Sequence, residues 1–307
     1  MKRAVIDHYG PPGMIRIEDI ESFPLKGNRF VIENHASSVN PVDYKVRKGN
    51  LKLLSGLRFP KQLGGDFSGV VIHSVDKDYP LGSEVFGFVS PLQGGAYAEE
   101  IIADKRNIAI KPSNLSFSEA GVLSIAALTA FEGIMTKGRV EKGTKVLING
   151  STGGVGAYAT QLALALGAEV TGTCSSKNKE FALSLGAHKV FDYAAMTPEE
   201  IGRDFDLVYD TAGKIKWSEL KKYGHKGTKF MSCAGSVNLL INALVAKNLQ
   251  LIIIKPDNKK LSYLGEIIEK FNIHPHISEE YKLEDLNEAH AVLELGGIQG
   301  KVCINIR

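Results

Sequence analysis

A turn of small residues separates an apolar stretch from a helix-forming stretch near the middle of this 307-residue chain. The sequence there reads Val146-Leu-Ile-Asn-Gly-Ser-Thr-Gly-Gly-Val-Gly-Ala-Tyr-Ala159, and Gly167 ends the helical composition that follows. Glycines in such a turn let backbone amides approach a pyrophosphate, and the helix N-terminus directs its free N–H groups at the same negative charge. The order of strand, glycine turn, helix and second strand therefore predicts a dinucleotide-binding unit.

The glycine pattern of this turn is incomplete. Gly153 and Gly156 occupy the second and third positions of the G-x-G-x-x-G motif, whereas Ser151 occupies the first. Taken alone, such a pattern is also compatible with a tight turn that binds no ligand. Its position between a predicted strand and a predicted helix favours the dinucleotide, because the pyrophosphate must lie at the start of that helix.

The end of the second strand, which runs through Ala168–Cys174, indicates which dinucleotide binds. An Asp or Glu about 20 residues past the turn usually holds a free ribose 2′-hydroxyl. Here Ser175, Ser176 and Lys177 stand at that place. Because a charge-assisted hydrogen bond to a 2′-phosphate contributes about 1.5–3 kcal/mol, the sequence predicts NADPH. The alternative is a solvated pair of lysines that opens the helix Glu180–Leu185.

The composition excludes several classes of protein. A net charge of +3 provides no basic field for nucleic acid, and the apolar runs are far shorter than a membrane span. The N-terminal Met-Lys-Arg is followed by a polar segment with prolines, which is unlike a signal peptide. Cys174, Cys233 and Cys303 are far apart, so neither a disulfide framework nor a Cys-x-x-Cys metal site is expected. We therefore expect a protein of a reducing, cytoplasmic compartment.

The chain changes character near residues 111–119. Before them, turns separate short β-branched runs, as in an all-β domain, and after them helices and strands alternate, as in a doubly wound parallel sheet. Beyond Ser262 we expect a helix to Phe271, a polar loop, a helix near Leu283–Leu295 and a final strand Lys301–Ile306 that returns to the first domain. The other predicted segments are the strands Phe30–Ile32, Val70–Ser74, Glu84–Phe88, Glu99–Ala103, Lys145–Ile148, Glu169–Thr173, Lys189–Phe191, Leu207–Tyr209 and Lys229–Cys233, and the helices Ser118–Lys137, Val155–Leu166, Lys177–Leu185 and Trp217–Tyr223.

Short motifs with the character of one protein family occur along the whole chain. They are Ser38-Val-Asn-Pro-Val-Asp-Tyr-Lys-Val-Arg-Lys-Gly49, Gly64-Gly-Asp-Phe-Ser-Gly-Val-Val71, Gly82-Ser-Glu-Val-Phe-Gly87, Gly95-Ala-Tyr-Ala-Glu99, Ala127-Leu-Thr-Ala-Phe-Glu132, Ser151-Thr-Gly-Gly-Val-Gly156 and Gly300-Lys-Val302. In these motifs the chain resembles the medium-chain dehydrogenase/reductase superfamily, and within it the quinone oxidoreductase branch. The segments Asn40-Pro-Val-Asp-Tyr-Lys45 and Ile253-Ile-Lys-Pro256 are most similar to the enone and alkenal reductases.

The resemblance implies an α/β protein of two domains. A GroES-like β-rich catalytic domain would begin with residues 1–113. A Rossmann domain with a doubly wound parallel sheet would follow at residues 114–254 and bind NADPH. Residues 255–307 would then return to the catalytic domain.

The resemblance also bears on metal content. A zinc-dependent alcohol dehydrogenase of this superfamily has a Cys at the position of Asn40 and a His-Glu pair at the position of Gly65-Asp66. His8, His35 and His73 are isolated in the sequence, so we expect packing or surface roles for them. Because a catalytic zinc needs about three protein ligands of N, S or O type, the sequence predicts a zinc-independent enzyme with no metal site.

Without zinc, the acceptor itself must spread the charge that hydride transfer creates. In an α,β-unsaturated carbonyl or a quinone, hydride at the β-carbon moves charge to oxygen, where a hydrogen-bond donor stabilises an enolate. The resemblance places the segment that begins at Asn40 beside the nicotinamide, with Asn40 as a positioning group. Lys45 is then the first candidate donor and Tyr44 the second. Alternatively, Tyr44 only packs, Lys45 is solvated, and Arg47 holds the loop to an acid such as Asp43.

Position in the predicted sheet adds further cofactor contacts. Thr129 matches a residue that lies near the nicotinamide in the resembled family, and Tyr193 would flank the 2′-phosphate or the adenine ribose. The later strands end at Asp210-Thr-Ala-Gly213, Cys233-Ala-Gly235 and Ile253-Ile-Lys255, on the side where open α/β sheets bind ligands. Hydride transfer needs no nucleophile, so we interpret Cys233 as a small residue at a strand end. The predicted cofactor-binding set is Thr129, Ser151, Thr152, Gly153, Gly154, Val155, Gly156, Ser175, Ser176, Lys177, Tyr193, Ala212, Cys233, Ile253 and Lys255.

The leading functional hypothesis is a zinc-independent, NADPH-dependent reductase of quinones or α,β-unsaturated carbonyls. A one-electron quinone reductase and a nucleotide-binding protein without turnover remain as alternatives. We also predict a homodimer, because the segments Val237–Val245 and Leu249–Ile254 are unusually apolar and an apolar edge strand is usually paired. A buried final strand in a monomer is the alternative.

Overall fold

The computed structural model describes residues 1–24, 26–195, 197–233 and 237–307. Ala234 and Gly235, which we predicted at the end of a strand, lie outside the described residues. Within the described parts of the chain, every helix is too short or too polar to cross a bilayer.

Two compact units make up the structure. The β unit consists of residues 1–125, 255–296 and 301–307, and the α/β unit consists of residues 126–254 and 297–300. The strands, in chain order, are β1 (Lys2–Ile6), β2 (Ile15–Asp19), β3 (Phe30–Val39), β4 (Lys61–Gln62), β5 (Asp66–His73), β6 (Glu84–Phe88), β7 (Glu100–Ala103), β8 (Ile108–Ile110), β9 (Lys145–Asn149), β10 (Glu169–Cys174), β11 (Lys189–Asp192), β12 (Phe205–Asp210), β13 (Gly224–Cys233), β14 (Leu249–Ile252), β15 (Ile277–Lys282) and β16 (Lys301–Asn305).

The helices connect these strands and cover the sheets. The α-helices are α1 (Pro41–Arg47), α2 (Lys52–Ser55), α3 (Phe117–Gly121), α4 (Ser124–Phe131), α5 (Gly154–Ala165), α6 (Lys179–Ser184), α7 (Pro198–Ile201), α8 (Trp217–Leu220), α9 (Val237–Ala243), α10 (Asn258–Lys270) and α11 (Leu286–Leu295). Short 3-10 helices span Lys105–Asn107, Ser176–Asn178, Lys221–Tyr223 and Leu283–Asp285, and a π-helix spans Glu132–Lys137.

The β unit contains two sheets. One has the order β2-β1-β4, and the other has the order β15-β16-β3-β5-β6-β8 with β7 also paired to β3. Its core includes Ile32, Phe67, Val85 and Ile108, each at most 1% exposed. Burial of one such side chain contributes about 1.5–3 kcal/mol, so alternating apolar residues on these strands stabilise the sheet.

The last strand of the chain pairs with an early one. Strand β16 runs antiparallel to β3, with Val302 opposite Val39 and Cys303 opposite Ser38. Because β3 ends at Val39 and α1 begins at Pro41, this register places Lys301 close to the start of α1.

The α/β unit has a parallel sheet in the order β11-β10-β9-β12-β13-β14. Successive strands move one way from β9 to β11 and the other way from β12 to β14, so the order reverses between β9 and β12. Asn149, at the end of β9, lies between Thr173 on β10 and Asp210 on β12. Open α/β sheets bind ligands outside the carboxyl ends of the strands at such a reversal. The predicted doubly wound parallel sheet is confirmed.

The predicted helix Ser118–Lys137 is wrong as one continuous element. The structure divides it into α3, α4 and the π-helix. Gly121 packs so closely on β3 that a Cβ there would lie 2.7 Å from the Cβ of Ala36, and Gly133 similarly approaches the ring of Tyr209. Both are contacts with residues distant in sequence, which the local helical composition does not reveal.

A strand was also missed in the tail. We predicted a polar loop after Phe271, but Ile277–Lys282 forms β15, which pairs in parallel with β16. This strand lies at the edge of its sheet, and its central residues Glu279 and Glu280 are exposed. Edge strands with charged residues lack the apolar alternation by which strands are predicted.

Candidate active site

Helix α1 carries the residues that we predicted to act on the substrate. Pro41 stands at its first position, where the missing N–H costs no hydrogen bond. Asp43 Oδ2 accepts hydrogen bonds from the backbone N–H of Asn40, at 2.8 Å, and from the hydroxyl of Tyr97, at 3.2 Å. The first turn of the helix therefore contains a buried carboxyl group that is hydrogen-bonded to the residue before the helix.

Burial raises the pKa of this Asp43 carboxyl to about 7, and the nearby Asp66 carboxylate raises it as well. The backbone N–H of Asn40 has the opposite effect, because it stabilises the charged form. Asp43 therefore changes charge near neutral pH.

The side chain of Asn40 is directed away from the helix and joins a buried polar network. Its Nδ2 donates to Asp66 Oδ2 at 2.9 Å, and its Oδ1 accepts from Lys301 Nζ at 2.6 Å. Asp66 Oδ2 also accepts from the hydroxyl of Ser38 at 2.5 Å, and Asp66 Oδ1 accepts from the backbone N–H of Ile125 at 2.7 Å. We call Asn40, Asp66, Ser38 and Lys301 the Asn40 network.

Lys301 contributes a buried ammonium group to this network. The residue is 4% exposed, and its Nζ lies 3.7 Å from Asp66 Oδ2. Burial lowers the pKa of Lys301, whereas the carboxylates of Asp66 and Asp43 raise it. Lys301 is not among the residues predicted from the sequence, and Asp66 was considered there only as a position that lacks a zinc ligand.

Arg47 anchors the other end of α1. The residue is fully buried, donates from Nη1 to the carbonyl of Gly10 at 2.8 Å, and forms an ion pair with Glu294 on α11. Its Nε lies 3.3 Å from His290 Nδ1. The acid that holds Arg47 is therefore Glu294, whereas we had considered Asp43.

Tyr44 and Lys45 are half-buried on α1 between these two anchors. Burial raises the pKa of the Tyr44 hydroxyl, so it remains a hydrogen-bond donor at neutral pH. Among the described residues, the Lys45 ammonium has no ion-pair or hydrogen-bond partner. The N–H groups of the Lys45 ammonium are thus available to donate hydrogen bonds to a ligand.

The glycine turn of the α/β unit has the geometry of an anion site. Gly150 follows β9 with φ +79°, and Gly153 precedes the first residue of α5. A Cβ on Gly156 would lie 2.0 Å from the carbonyl oxygen of Gly150, so only glycine fits this close approach of helix and strand. The N–H groups of Gly154 and Val155 lie in the first turn of α5, where helices have unsatisfied donors.

The two hydroxyl residues of the turn differ in their roles. Ser151 is fully buried, and its Oγ donates to the carbonyl of Thr173 at 3.2 Å, which links the turn to β10. Thr152 is 5% exposed, and its carbonyl accepts from the N–H of Gly300 at 2.8 Å. The residues after α11 thereby reach the glycine turn.

The predicted 2′-phosphate site lies at the end of β10. Ser175 Oγ is buried and, within the described structure, has no hydrogen-bond partner. Lys177 is exposed, and its ammonium lies against the backbone of Gly297, where an added Cβ would be 2.6 Å from Lys177 Nζ. An unpartnered buried hydroxyl and a lysine two residues later fit a phosphate ligand, because each could donate a hydrogen bond to it.

Asp192 is a residue at this site that the sequence analysis missed. The hydroxyl of Ser176 donates to its carboxylate, and this hydrogen bond holds the pKa of Asp192 below its usual value. Asp192 is the last residue of β11, immediately before the predicted Tyr193, so its position at a strand end was the available signal. Its negative charge opposes the effect of Lys177 on a phosphate.

Asn178 connects the strand end, the turn and the residues after α11. Its Nδ2 lies 3.5 Å from Thr152 Oγ1 and 3.4 Å from the carbonyl of Gly297, and its Oδ1 accepts from Gln299 Nε2 at 3.2 Å. Asn178 is 4% exposed. These contacts, all within the α/β unit, hold the turn and the predicted phosphate site together.

The structure brings the glycine turn, Ser175–Lys177, Ala212 and Cys233 to the carboxyl edge of the parallel sheet. A Cβ on Gly150 would lie 3.3 Å from the Cβ of Ala212. The remaining predicted cofactor residues vary in exposure. Thr129 is buried, and its carbonyl accepts a hydrogen bond from the hydroxyl of Tyr209 at 2.9 Å. Cys233 is partly buried, whereas Tyr193, Ile253 and Lys255 are exposed. Lys255 belongs to the β unit, unlike the rest of the set.

Comparison with known proteins identifies the family. Residues 26–113 match the family model of the alcohol dehydrogenase GroES-like domain, and residues 185–304 match that of a zinc-binding dehydrogenase. The chain is 31% identical to the 2-methylene-furan-3-one reductase of Solanum lycopersicum, over 99% of this chain and 79% of that protein. The chain belongs to the medium-chain dehydrogenase/reductase superfamily.

Further relatives indicate which branch of the superfamily this chain resembles. The NADPH-dependent alkenal/one oxidoreductase of Arabidopsis thaliana, a chloroplastic protein, is 28% identical over 99% of this chain and 79% of that protein. The structure of the quinone oxidoreductase from Coxiella burnetii superposes with a TM-score of 0.89 at 30% identity, over 100% of this chain and 99% of that one. The relatives of this medium-chain dehydrogenase/reductase thus include quinone oxidoreductases and enone reductases, as its motifs indicated.

Zinc occurs in part of the superfamily, but the residues at the ligand positions here do not fit it. Asn40 presents an amide, Gly65 has no side chain, and the Asp66 carboxylate already accepts three hydrogen bonds. The ammonium of Lys301 lies among them and would repel a second cation. Within the described residues there is no cluster of three or more His, Cys, Asp or Glu side chains that could hold a metal.

Proposed function

We propose that this chain is a zinc-independent, NADPH-dependent reductase of quinones or of the C=C bond of α,β-unsaturated carbonyl compounds. The observation that carries the proposal is the Asn40 network, in which Asn40 and Asp66 occupy zinc-ligand positions but are hydrogen-bonded to Ser38, to Lys301 and to each other. Without a metal, the carbonyl oxygen is stabilised by hydrogen bonds alone, which favours acceptors that spread charge by conjugation. The names of the tomato and Arabidopsis relatives support an enone substrate.

The cofactor in this proposal is NADPH, and when bound it supplies the hydride. The first turn of α5 receives the pyrophosphate through the N–H groups of Gly154 and Val155. Ser175 and Lys177 bind the 2′-phosphate, since the hydroxyl is unpartnered and the ammonium is positive. Asp192, at the end of β11, weakens the preference for a phosphate without removing it, because two lysines, Lys177 and Lys179, follow the end of the adjacent strand β10.

Helix α1 supplies the groups that act on the carbonyl. Lys45 donates a hydrogen bond to the oxygen on which charge accumulates, and Tyr44 is the second donor. Both are held in place by the buried Arg47 on one side and by the Asn40 network on the other. Donors that are positioned before the reaction stabilise the developing charge without reorganisation.

Product analysis with cofactor deuterated at the transferred position tests this function. We expect the label at the β-carbon of an enone and almost no turnover of saturated aldehydes or ketones. Label at the carbonyl carbon, which gives an allylic alcohol, would show that the enzyme performs 1,2-reduction instead. Elemental analysis and chelation in the same preparation test zinc independence, which predicts full activity after removal of any metal.

We further propose that the protein acts in the cytoplasm as a homodimer. Three widely spaced free cysteines support a reducing compartment, and the exposed apolar side chains on α9 and after β14 support self-association. Fractionation of cells that express the protein tests the location.

A further inference from the structure

Lys301 is a buried cation whose presence the fold of the β unit does not explain. Its neighbours on β16, Val302, Cys303 and Ile304, are apolar and fully buried. Burial of an ammonium is unfavourable unless other groups compensate it, and an apolar side chain would avoid that cost. A specific partner must therefore stabilise the charge at this position.

The hydrogen-bond partner of Lys301 is the residue immediately before helix α1. An Asn at this position usually accepts a hydrogen bond from a backbone N–H of the first helical turn. Here the Oδ1 of Asn40 accepts from Lys301 Nζ at 2.6 Å, and Asp43 interacts with the backbone of Asn40 instead. The side chain of Asn40 therefore links α1 to β16.

Asp66 completes this link from the opposite side. It accepts from Asn40 Nδ2 at 2.9 Å and from Ser38 Oγ at 2.5 Å, and its other oxygen accepts from the N–H of Ile125 at 2.7 Å. The amide of Asn40 is thus fixed at both ends, by a cation on its oxygen and a carboxylate on its nitrogen. A buried side chain that is hydrogen-bonded at both ends has few alternative orientations.

We propose that Lys301 is a positioning residue of the active site, whose ammonium fixes Asn40 and thereby the start of helix α1, so that Tyr44 and Lys45 face the substrate in one orientation. This role rests on the proposed function of α1 as the source of the hydrogen-bond donor. Lys301 does not need to contact the substrate, because its effect is transmitted through Asn40 over a single hydrogen bond.

The test compares Lys301→Met with Lys111→Met. Lys111 is a second buried lysine of the β unit, and its Nζ donates to the carbonyl of Leu115 and pairs with Glu84, away from α1. For Lys301→Met we expect kcat to fall at least tenfold while the Kd of NADPH, from nicotinamide fluorescence, changes less than twofold. For Lys111→Met we expect a lower Tm with kcat unchanged.

A double variant separates positioning from simple charge balance. Lys301→Met combined with Asp66→Asn removes the unpaired carboxylate and should restore most of the Tm lost in the single variant. If Lys301 positions Asn40, kcat stays low in the double variant, because Asn40 Oδ1 still lacks the hydrogen bond from Lys301. Recovery of kcat together with Tm would overturn the proposal, since Lys301 would then only neutralise Asp66. If the single variant does not fold, the double variant decides the question alone.

Hydrogen–deuterium exchange gives a readout that does not depend on turnover. Amides of residues 42–48 should exchange at least fivefold faster in the Lys301→Met protein and in the double variant, but not in Lys111→Met. Unchanged exchange there would contradict the positioning role even if kcat falls. If the unmodified protein reduces no enone or quinone, the proposed function fails, while the exchange experiment still tests whether Lys301 orders α1.

Discussion

At the scale of single residues, Lys45 is the side chain whose removal tests the chemistry most directly. Its ammonium is half-buried and unpartnered among the described residues, so it is available to a carbonyl oxygen. Lys45→Ala should lower kcat for an enone by on the order of 10- to 100-fold, below the effect of a fully enclosed donor, because water partly replaces it. The Kd of NADPH should stay within twofold.

Two variants serve as comparisons for Lys45. Lys52→Ala removes an exposed ammonium from α2 and should leave kcat unchanged. Tyr44→Phe removes the second candidate donor. A larger loss of kcat in Tyr44→Phe than in Lys45→Ala would reverse the order of the two donors.

The preference for NADPH depends on opposite charges at the ends of the neighbouring strands β10 and β11. Lys177→Ala should reduce the ratio of kcat/KM for NADPH over that for NADH by about tenfold, since an ammonium near the 2′-phosphate is lost. Asp192→Asn should raise the same ratio severalfold, because the carboxylate beside Ser176 repels a phosphate. Steady-state kinetics with both cofactors measures the two ratios. If both variants leave the ratio unchanged, the 2′-phosphate binds elsewhere.

The sequence was informative at this scale where function follows from neighbours in the chain. The glycine turn and Ser175 with Lys177 were predicted because the phosphate-binding mechanism requires these types at a fixed spacing. The contact between Lys301 and Asn40 joins residues that are 261 positions apart. No local pattern signals such a pair, because it depends on the register of β16 against β3.

At the scale of elements, helix α1 responds to pH through Asp43. Burial raises the pKa of this carboxyl to about 7, compared with about 4 in an unfolded chain. Between these values the folded protein binds a proton that the unfolded protein lacks, so this group's contribution to stability falls as the pH rises from about 4 to 7. Above pH 7 the folded and unfolded proteins are both deprotonated at Asp43, so this contribution to stability has been lost entirely.

Replacement of Asp43 by Asn removes this titration and keeps an acceptor for Asn40 and Tyr97. Relative to the unmodified protein, Asp43→Asn should therefore be more stable at pH 8 than at pH 5, by on the order of 1–3 kcal/mol. Urea unfolding at the two pH values measures the difference. A difference in the free energy of unfolding that does not change with pH would show that Asp43 is charged throughout.

Elements with regular apolar patterns were predictable, and those with long-range causes were not. Strands such as Glu84–Phe88 were located correctly because β-branched or aromatic residues, here Val85, Phe86 and Phe88, recur between turns. The break between α3 and α4 depends on the contact of Gly121 with Ala36, and β15 depends on its pairing with β16. Both require the tertiary fold to be known first.

At the scale of the whole molecule, the exposed apolar surface of the α/β unit predicts self-association. Strand β14 lies at the edge of the parallel sheet, with β13 as its neighbour. Leu244 and Val245 are 86% and 78% exposed, and Ile253 is 64% exposed. An edge strand flanked by exposed apolar residues tends to pair with another chain, and two copies related by a two-fold axis would cover each other's edge.

We therefore expect light scattering at micromolar concentration to give twice the mass of the chain. Ile253→Lys should shift the protein to a monomer, because a charge at the sheet edge opposes pairing there. Leu81→Lys is the matched control, since Leu81 is a 66% exposed leucine of the β unit and its replacement should leave the dimer intact. A monomer mass for the unmodified protein would eliminate the dimer. A dimer that persists in Ile253→Lys would place the interface on another surface, since two facing ammonium groups would repel each other across a two-fold axis through β14.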